Sequence, residues 1–226
     1  MFAPLRGGLL VALLSVTVQA QEAWPGALAR MPLAPGVHAL NRTNCVSVML
    51  GAFRSNAVLK GLVFMPGATD EFYFFKRAHA TMVQPEPTLA DAVAALTNQT
   101  RIRARFCPPL LLLHTEFDPA AAQANVLDPR TAAKLRAEPF LPYARYNDRD
   151  WDFLLPILHK TLRVTFLPRR LTPGSWDFYR HSFVGYNLTG WEALEAVALA
   201  GRTTFTVERK RVTFVADTRH EEPTRP

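Results

Sequence analysis

Hydrophobic and polar residues follow two different periods along this chain, and the changes of period divide it into short helices and strands. Over residues 88–99 the apolar residues recur at helical spacing, and Thr88 with Asp91 three positions later has the pattern of a capping box. Thr189 and Glu192 repeat that pattern before a second apolar stripe. We therefore predict helices that begin after Thr88 and after Thr189.

A strand pattern follows each of these helices. After the first helix, apolar residues alternate with arginines, so one strand face is apolar and the other basic: Arg101, Ile102, Arg103, Ala104, Arg105 and Phe106. After the second helix, which Gly201 is expected to end with a positive φ, residues 203–217 predict a hairpin. We expect its second arm, residues 212–216, to be an exposed sheet edge. A weaker third unit is predicted as a helix over 150–160 and a strand over 161–167.

The N-terminal half gives less regular patterns. Residues 45–50 and 57–65 read as two strands of a hairpin, and residues 70–82 favour a helix over a strand. The fold class predicted from these units is α+β, with repeated small strand-helix-strand units and helices packed on short mixed or antiparallel sheets.

The same patterns predict how the chain is organised. They indicate a signal peptide (1–20), an extended entry segment (21–44), a first α+β domain (45–119), a linker (120–140), a second α+β domain (141–216) and a disordered tail (217–226).

Two segments resemble a known family. Residues 188–215, LTGWEALEAVALAGRTTFTVERKRVTFV, and less fully residues 87–106 are similar to the short N-terminal (STN-like) domain of secretins and TonB-dependent receptors. In that domain a helix follows a strand and leads into a hairpin. The resemblance implies a periplasmic interaction module without catalytic residues. In a departure from those proteins, we predict no barrel or secretin channel in the residues that follow the resemblance.

Residues 1–20 have the pattern of a secretory signal. One cation, Arg6, precedes an uncharged apolar run, and the segment closes with Val18-Gln19-Ala20. The run is too short to span a bilayer as a helix, and we predict no transmembrane span in the mature chain. We expect secretion across the inner membrane to a periplasmic or extracellular location.

Composition limits the class of partner. A hydrophobic share of 49% excludes a disordered or collagen-like chain, and the formal net charge is +7. Removal of Arg6 with the signal would leave +6, and the remaining cations are scattered along the chain. For an exported protein this charge favours an anionic envelope component over nucleic acid, and we predict no nucleic-acid partner.

Two cysteines, Cys45 and Cys107, leave two alternatives open in an oxidising compartment: one disulfide or two buried thiols. Neither belongs to a C-x-x-C pair, so no structural zinc site is predicted. No motif for serine hydrolases, zincins, P-loop enzymes or dinucleotide-binding enzymes occurs either, and we predict no cofactor.

One polar cluster is a weak candidate for catalysis. His114, Glu116 and Asp118 follow the apolar run 110–113 and would share one face if the strand continued. An imidazole beside carboxylates suits a general base or a metal ligand. The alternative is the polar end of a strand that leaves the core.

Aromatic residues supply weak candidates for binding. Residues 143–191 are rich in aromatic side chains, and flat rings beside carboxylates are typical of saccharide sites, although core packing explains the same composition. The candidates for a glycan or peptidoglycan site are Trp151, Trp176, Asp177, Tyr179 and His181.

The sequence therefore predicts a non-catalytic exported module that binds an envelope protein. The alternatives are a glycan-binding module and a hydrolase or metal-dependent enzyme.

Overall fold

The computed structural model of the chain describes residues 26–54, 58–64, 71–115, 124–169 and 181–216. Within these ranges the chain has six helices and eleven strands, and the strands form three sheets. The predicted α+β class is confirmed. The predicted signal at 1–20 and the predicted tail at 217–226 lie outside the described residues.

Helices and strands are numbered here in chain order. The helices are α1 (Cys45–Phe53), α2 (Glu71–Phe74), α3 (Leu89–Gln99), α4 (Pro129–Ala137), α5 (Trp151–Leu162) and α6 (Gly190–Ala200). The strands are β1 (Ala39–Asn41), β2 (Gly61–Phe64), β3 (His79–Thr81), β4 (Arg103–Cys107), β5 (Leu110–His114), β6 (Ala124–Val126), β7 (Pro139–Arg149), β8 (Thr165–Arg169), β9 (His181–Thr189), β10 (Thr203–Glu208) and β11 (Arg211–Ala216). Across the described ranges, none of these helices has the length and apolar character that a membrane span requires.

The main sheet has five strands in the order β4-β5-β2-β9-β7. Its β2 and β5 are parallel, and its other neighbours are antiparallel. A second sheet has the order β6-β10-β11-β8, in which an antiparallel β10-β11 hairpin is flanked by parallel strands. Strands β1 and β3 form a small antiparallel sheet.

Both faces of the five-stranded sheet are covered by hydrophobic clusters. All five residues of β5 are buried; Leu110 and Leu112 join one cluster, whereas Leu111 and Leu113 join the other. The first cluster contains α6, which contacts strands of the five-stranded sheet and β10 of the second. The second cluster contains α1 and α3. An apolar run that is buried on both faces explains why β5 has no alternation.

Local capping signals were the most dependable guide to helix positions. Both predicted capping boxes are confirmed: Thr88 with Asp91 begins α3, and Thr189 with Glu192 begins α6. The predicted third unit is also found, as α5 and β8, but residues 161–162, which were predicted to begin the strand, end the helix instead. The Asp150 side chain accepts the Phe153 N–H at the start of α5.

The predicted strand over residues 45–50 is wrong, because this segment lies in α1. Its buried residues Cys45, Val46, Met49 and Leu50 follow helical spacing, which the two valines of CVSVML obscured. The predicted hairpin with residues 57–65 is therefore absent, and β2 pairs with β5 and β9 instead.

The predicted helix over residues 70–82 is mostly wrong as well. Of the described residues 71–82, only Glu71–Phe74 are helical, and β3 follows after a turn. In β3 the side chain of Ala80 is buried while His79 and Thr81 are exposed, which is strand alternation. Pairing with β1 overrides the local helical pattern here.

The predicted linker at 120–140 needs correction. Within it, Pro129–Ala137 forms α4, whose N-cap Asp128 accepts the Arg130 N–H and whose first residue is proline. Strands from both sides of this segment share the five-stranded sheet, since β2, β4 and β5 precede it and β9 follows. The predicted division at this segment therefore does not give each half its own sheet.

Two expectations about the C-terminal hairpin also need correction. The hairpin exists, but β11 lies between β10 and β8, so residues 212–216 are not a sheet edge. Gly201 ends α6 with a φ of −90°, and the left-handed residue is Arg202, with a φ of 50°.

In the extended entry segment, the described part includes β1 and core side chains such as Leu28 and Met31.

Candidate functional site

A groove of about 440 Å³ lies where four separate parts of the chain meet. It is lined by α2 and the turn after it, by the end of α3, by the residues that lead into β4, and by Thr115 after β5. Its lining residues are Tyr73, Phe74, Lys76, Arg77, Ala78, Gln99, Thr100, Arg101, Ile102 and Thr115. We call this feature the basic groove.

The charge of the basic groove has one sign. Lys76, Arg77 and Arg101 are exposed, and no carboxylate from the described residues lines the groove. None of the three cations is in an ion pair with a described residue. Unneutralised cations on the walls of a concave surface attract anionic groups.

The lining changes from basic and aromatic at the rim to apolar at the base. Tyr73 is 61% exposed, and the Lys76 Nζ lies 5.8 Å from the centroid of its ring. Phe74, Ala78 and Ile102 line the groove although each is at least 90% buried, so they form its base.

The wall that carries Tyr73 is attached to the far edge of the five-stranded sheet. The carboxylate of Glu71 in α2 accepts two hydrogen bonds from Arg145 Nη2 of β7, at 2.7 and 3.0 Å. Hydrogen bonding to Glu71 raises the pKa of Arg145. The Glu71 N–H also donates to Asn147 Oδ1 at 2.7 Å. A helix of one turn has little stability of its own, so these bonds hold it in position.

The opposite wall is held by side-chain bonds to the backbone. Gln99 accepts the Thr81 N–H at 3.0 Å and donates to the Thr81 carbonyl at 2.7 Å, which joins the end of α3 to β3. The Thr100 hydroxyl donates to the Leu96 carbonyl at 2.6 Å and accepts the Ile102 N–H at 3.0 Å. These polar groups serve the wall itself, whereas the three cations and Tyr73 are exposed.

The predicted catalytic cluster is described only in part. His114 is the last residue of β5 and is 7% exposed, whereas Glu116 and Asp118 lie outside the described residues. Over the described ranges, no group of three or more His, Cys, Asp or Glu side chains is arranged to hold a metal ion.

Two of the predicted binding residues belong to the core. Trp151 and His181 are both 0% exposed, with ring centroids 4.4 Å apart. A saccharide cannot stack on a ring that is fully covered, so the structure does not support Trp151 or His181 as a glycan platform. Trp176, Asp177 and Tyr179 lie outside the described residues.

Burial determines the protonation of His181. Its Nδ1 lies 2.9 Å from the Arg149 carbonyl oxygen, which fits the tautomer with the proton on Nδ1. Desolvation lowers the pKa of His181 to about 4, so the ring is neutral at neutral pH.

The two cysteines are not bonded to each other. Cys45 is buried in the second cluster, whereas Cys107 packs against the first cluster, on the other face of the five-stranded sheet. The structure therefore does not support the disulfide alternative. Burial raises the pKa of the Cys45 thiol to about 12, so it is a poor nucleophile.

The basic groove is not visible in the sequence pattern, which makes Arg101 part of a basic strand face and places Lys76 and Arg77 on a long helix. One signal was present in the sequence: no acidic residue occurs between Glu71 and Glu86, and none between Asp91 and Glu116. These two acid-free stretches supply all the lining residues.

Comparisons with known proteins give no assignment. No protein-family model, curated protein or solved structure matches the chain.

Proposed function

We propose that the protein is a non-catalytic interaction module that acts outside the cytoplasm and binds an acidic segment of a partner protein in the basic groove. Lys76, Arg77 and Arg101 carry this proposal, because they surround one concavity and no described carboxylate neutralises them. The signal pattern of residues 1–20 supports the location.

Arginine suits this role because its planar guanidinium can donate two parallel hydrogen bonds to one carboxylate. A single exposed ion pair contributes only about 0.2–1 kcal/mol. Three cations in one concave site act on the same ligand and exclude part of its water, so their effects accumulate. The field of the groove should also raise the association rate at low salt.

A glycan-binding function receives less support from the described residues. Glycan sites need unused hydrogen-bonding groups beside an exposed ring, but Gln99 and Thr100 are already bonded to the backbone. The two described aromatic candidates, Trp151 and His181, are buried.

The test is binding of a fluorescein-labelled oligo-glutamate peptide, measured by fluorescence anisotropy. We expect the R77E/R101E double variant to lose at least about tenfold in affinity, or about 1.4 kcal/mol, because attraction becomes repulsion. The matched control is the R54E/K160E double variant, which makes the same charge change at exposed positions outside the groove.

The comparison of the two variants separates local from general electrostatics. If both variants lose the same affinity, the peptide responds only to net charge and the proposed site is wrong. Binding should also weaken strongly near 1 M salt, where the Debye length is about 3 Å.

A further inference from the structure

The basic groove has two chemical zones, and together they specify more than negative charge. Its rim carries Lys76, Arg77 and Arg101, whereas its base is formed by the buried residues Phe74 and Ile102. A purely acidic ligand would satisfy the rim but leave the apolar base in contact with water. An apolar group between two acidic groups would cover both zones.

Tyr73 indicates which apolar group fits best. Its ring is 61% exposed, yet it is presented by a helix that the Glu71–Arg145 ion pair and the Asn147 hydrogen bond attach to β7. An aromatic side chain held at the rim in this way is prepared for ring-to-ring contact at a low entropic cost. Aromatic pairs favour offset or edge-to-face contacts, which an exposed ring at a rim allows.

The adjacent cation completes the pattern. The Lys76 Nζ is 5.8 Å from the centroid of the Tyr73 ring, so a ligand ring on Tyr73 would bring a neighbouring carboxylate next to Lys76. On the opposite wall of the groove, Arg101 can receive a second carboxylate. At about 440 Å³ the groove lies within the size range of ligand-binding clefts.

From these observations we infer that the basic groove recognises a short acidic–aromatic peptide segment, in which one aromatic residue packs against Tyr73 and the apolar base while acidic residues on both sides pair with the basic rim. This inference rests on the proposed function and adds the identity of the recognised segment. A concave site around a single exposed ring favours such a segment over a lipid surface, which would require a broad exposed face. Acidic and aromatic residues also match the exposed cations and the exposed tyrosine ring of the groove.

The experiment uses two labelled peptides that differ at one residue, Asp-Glu-Phe-Asp-Glu and Asp-Glu-Ala-Asp-Glu. We expect the purified protein to bind the first about fivefold more tightly, which is the scale of one aromatic pair. In Y73A the preference for phenylalanine should fall, because only the apolar base would still contact the ring, whereas Y73F should keep the full preference. R101Q should weaken both peptides by a similar factor and keep the preference as well.

The outcomes distinguish a failure of the aromatic inference from a failure of the proposed function. If both peptides bind wild-type protein equally and R77E/R101E weakens both, the aromatic inference fails and the proposed function stands. If neither peptide binds, both fail. Vesicles that contain phosphatidylglycerol and a labelled oligothymidylate serve as further probes. Tighter binding of either one, abolished by R77E/R101E, would overturn the peptide assignment in favour of a membrane or a nucleic acid.

Exposed positions make these variants suitable for the test. Tyr73 and Arg101 are both exposed, so their substitution removes little buried area. Denaturant unfolding of each variant verifies its fold, and V58A is a matched control that shortens an exposed apolar side chain outside the groove. V58A should leave the preference for phenylalanine unchanged.

Discussion

Replacement of Gly201 by alanine tests the packing between α6 and the start of β9. Gly201 has a φ of −90°, so the backbone itself accepts an alanine. The added Cβ would lie 2.5 Å from His181 Nε2 and 3.1 Å from the Val197 carbonyl oxygen. An ordinary contact is about 3.5 Å, so the His181 ring would have to move by roughly 1 Å.

His181 has little freedom to make that movement. It is 0% exposed, its Nδ1 is bonded to the Arg149 carbonyl, and its ring packs edge-on against Trp151. Overpacking of a core costs about 1–3 kcal/mol, and the loss of chain entropy on Gly→Ala returns about 0.4–1 kcal/mol. We therefore expect G201A to lower the free energy of unfolding by about 1–2 kcal/mol. For a chain of this size that corresponds to roughly 2–8 °C in Tm.

The assay is urea unfolding followed by tryptophan fluorescence. G51A is the matched control, because Gly51 lies within α1 and a Cβ there would meet nothing within 4 Å. It should be stabilised by up to about 1 kcal/mol. Removal of the His181 ring should also abolish the penalty, so G201A should cost nothing in an H181A background. A G201A protein as stable as wild type, with G51A behaving as expected, would refute this account of the packing.

Three further predictions concern other buried groups. The folded pKa of His181, about 4, lies below its unfolded value of 6.5, so its contribution to stability is present above pH 6.5 and is lost as pH falls towards 4. The loss amounts to about 3 kcal/mol, and the difference between wild type and H181N in urea unfolding should show it. E192A should destabilise the protein by about 1–2 kcal/mol in thermal unfolding, because Glu192 both caps α6 and pairs with Lys60 at 2.8 Å, whereas E192Q should keep the cap. In C107S, iodoacetamide should leave Cys45 unlabelled until denaturant is added, since its thiol is buried with a pKa of about 12; rapid labelling of the folded variant would contradict this.

Helices that depend on neighbouring residues were predictable from the sequence. The capping boxes at Thr88 and Thr189 satisfy N–H groups within three residues, so their signal is local and both helices begin where predicted. The β10-β11 hairpin is equally local, because Glu208 and Arg211 close it with a two-residue turn.

Elements that depend on distant pairing were not predictable in this way. β2 is completed by β5 and β9, and β3 takes its strand geometry from β1. These partners are remote in sequence, and period alone gives no sign of them. The α1 helix shows the converse, because its valines favoured a strand although its burial follows a helix.

The basic groove was harder still to predict, because its walls come from segments that tertiary pairing brings together. Lys76 and Arg101 belong to opposite walls, and the bonds that position those walls involve Arg145 and Thr81. The acid-free stretches of sequence around these cations are visible without a structure. Their convergence on one concavity is not.

Photo-cross-linking tests the central claim most directly. The probe is Asp-Glu-Phe-Asp-Glu with a photoreactive benzophenone on its aromatic residue, irradiated with the purified protein and mapped by mass spectrometry. The account predicts cross-links concentrated on residues 73–78 and 99–102, which disappear in the R77E/R101E variant and persist in R54E/K160E. Cross-links spread over the surface, or concentrated elsewhere and unaffected by R77E/R101E, would contradict it.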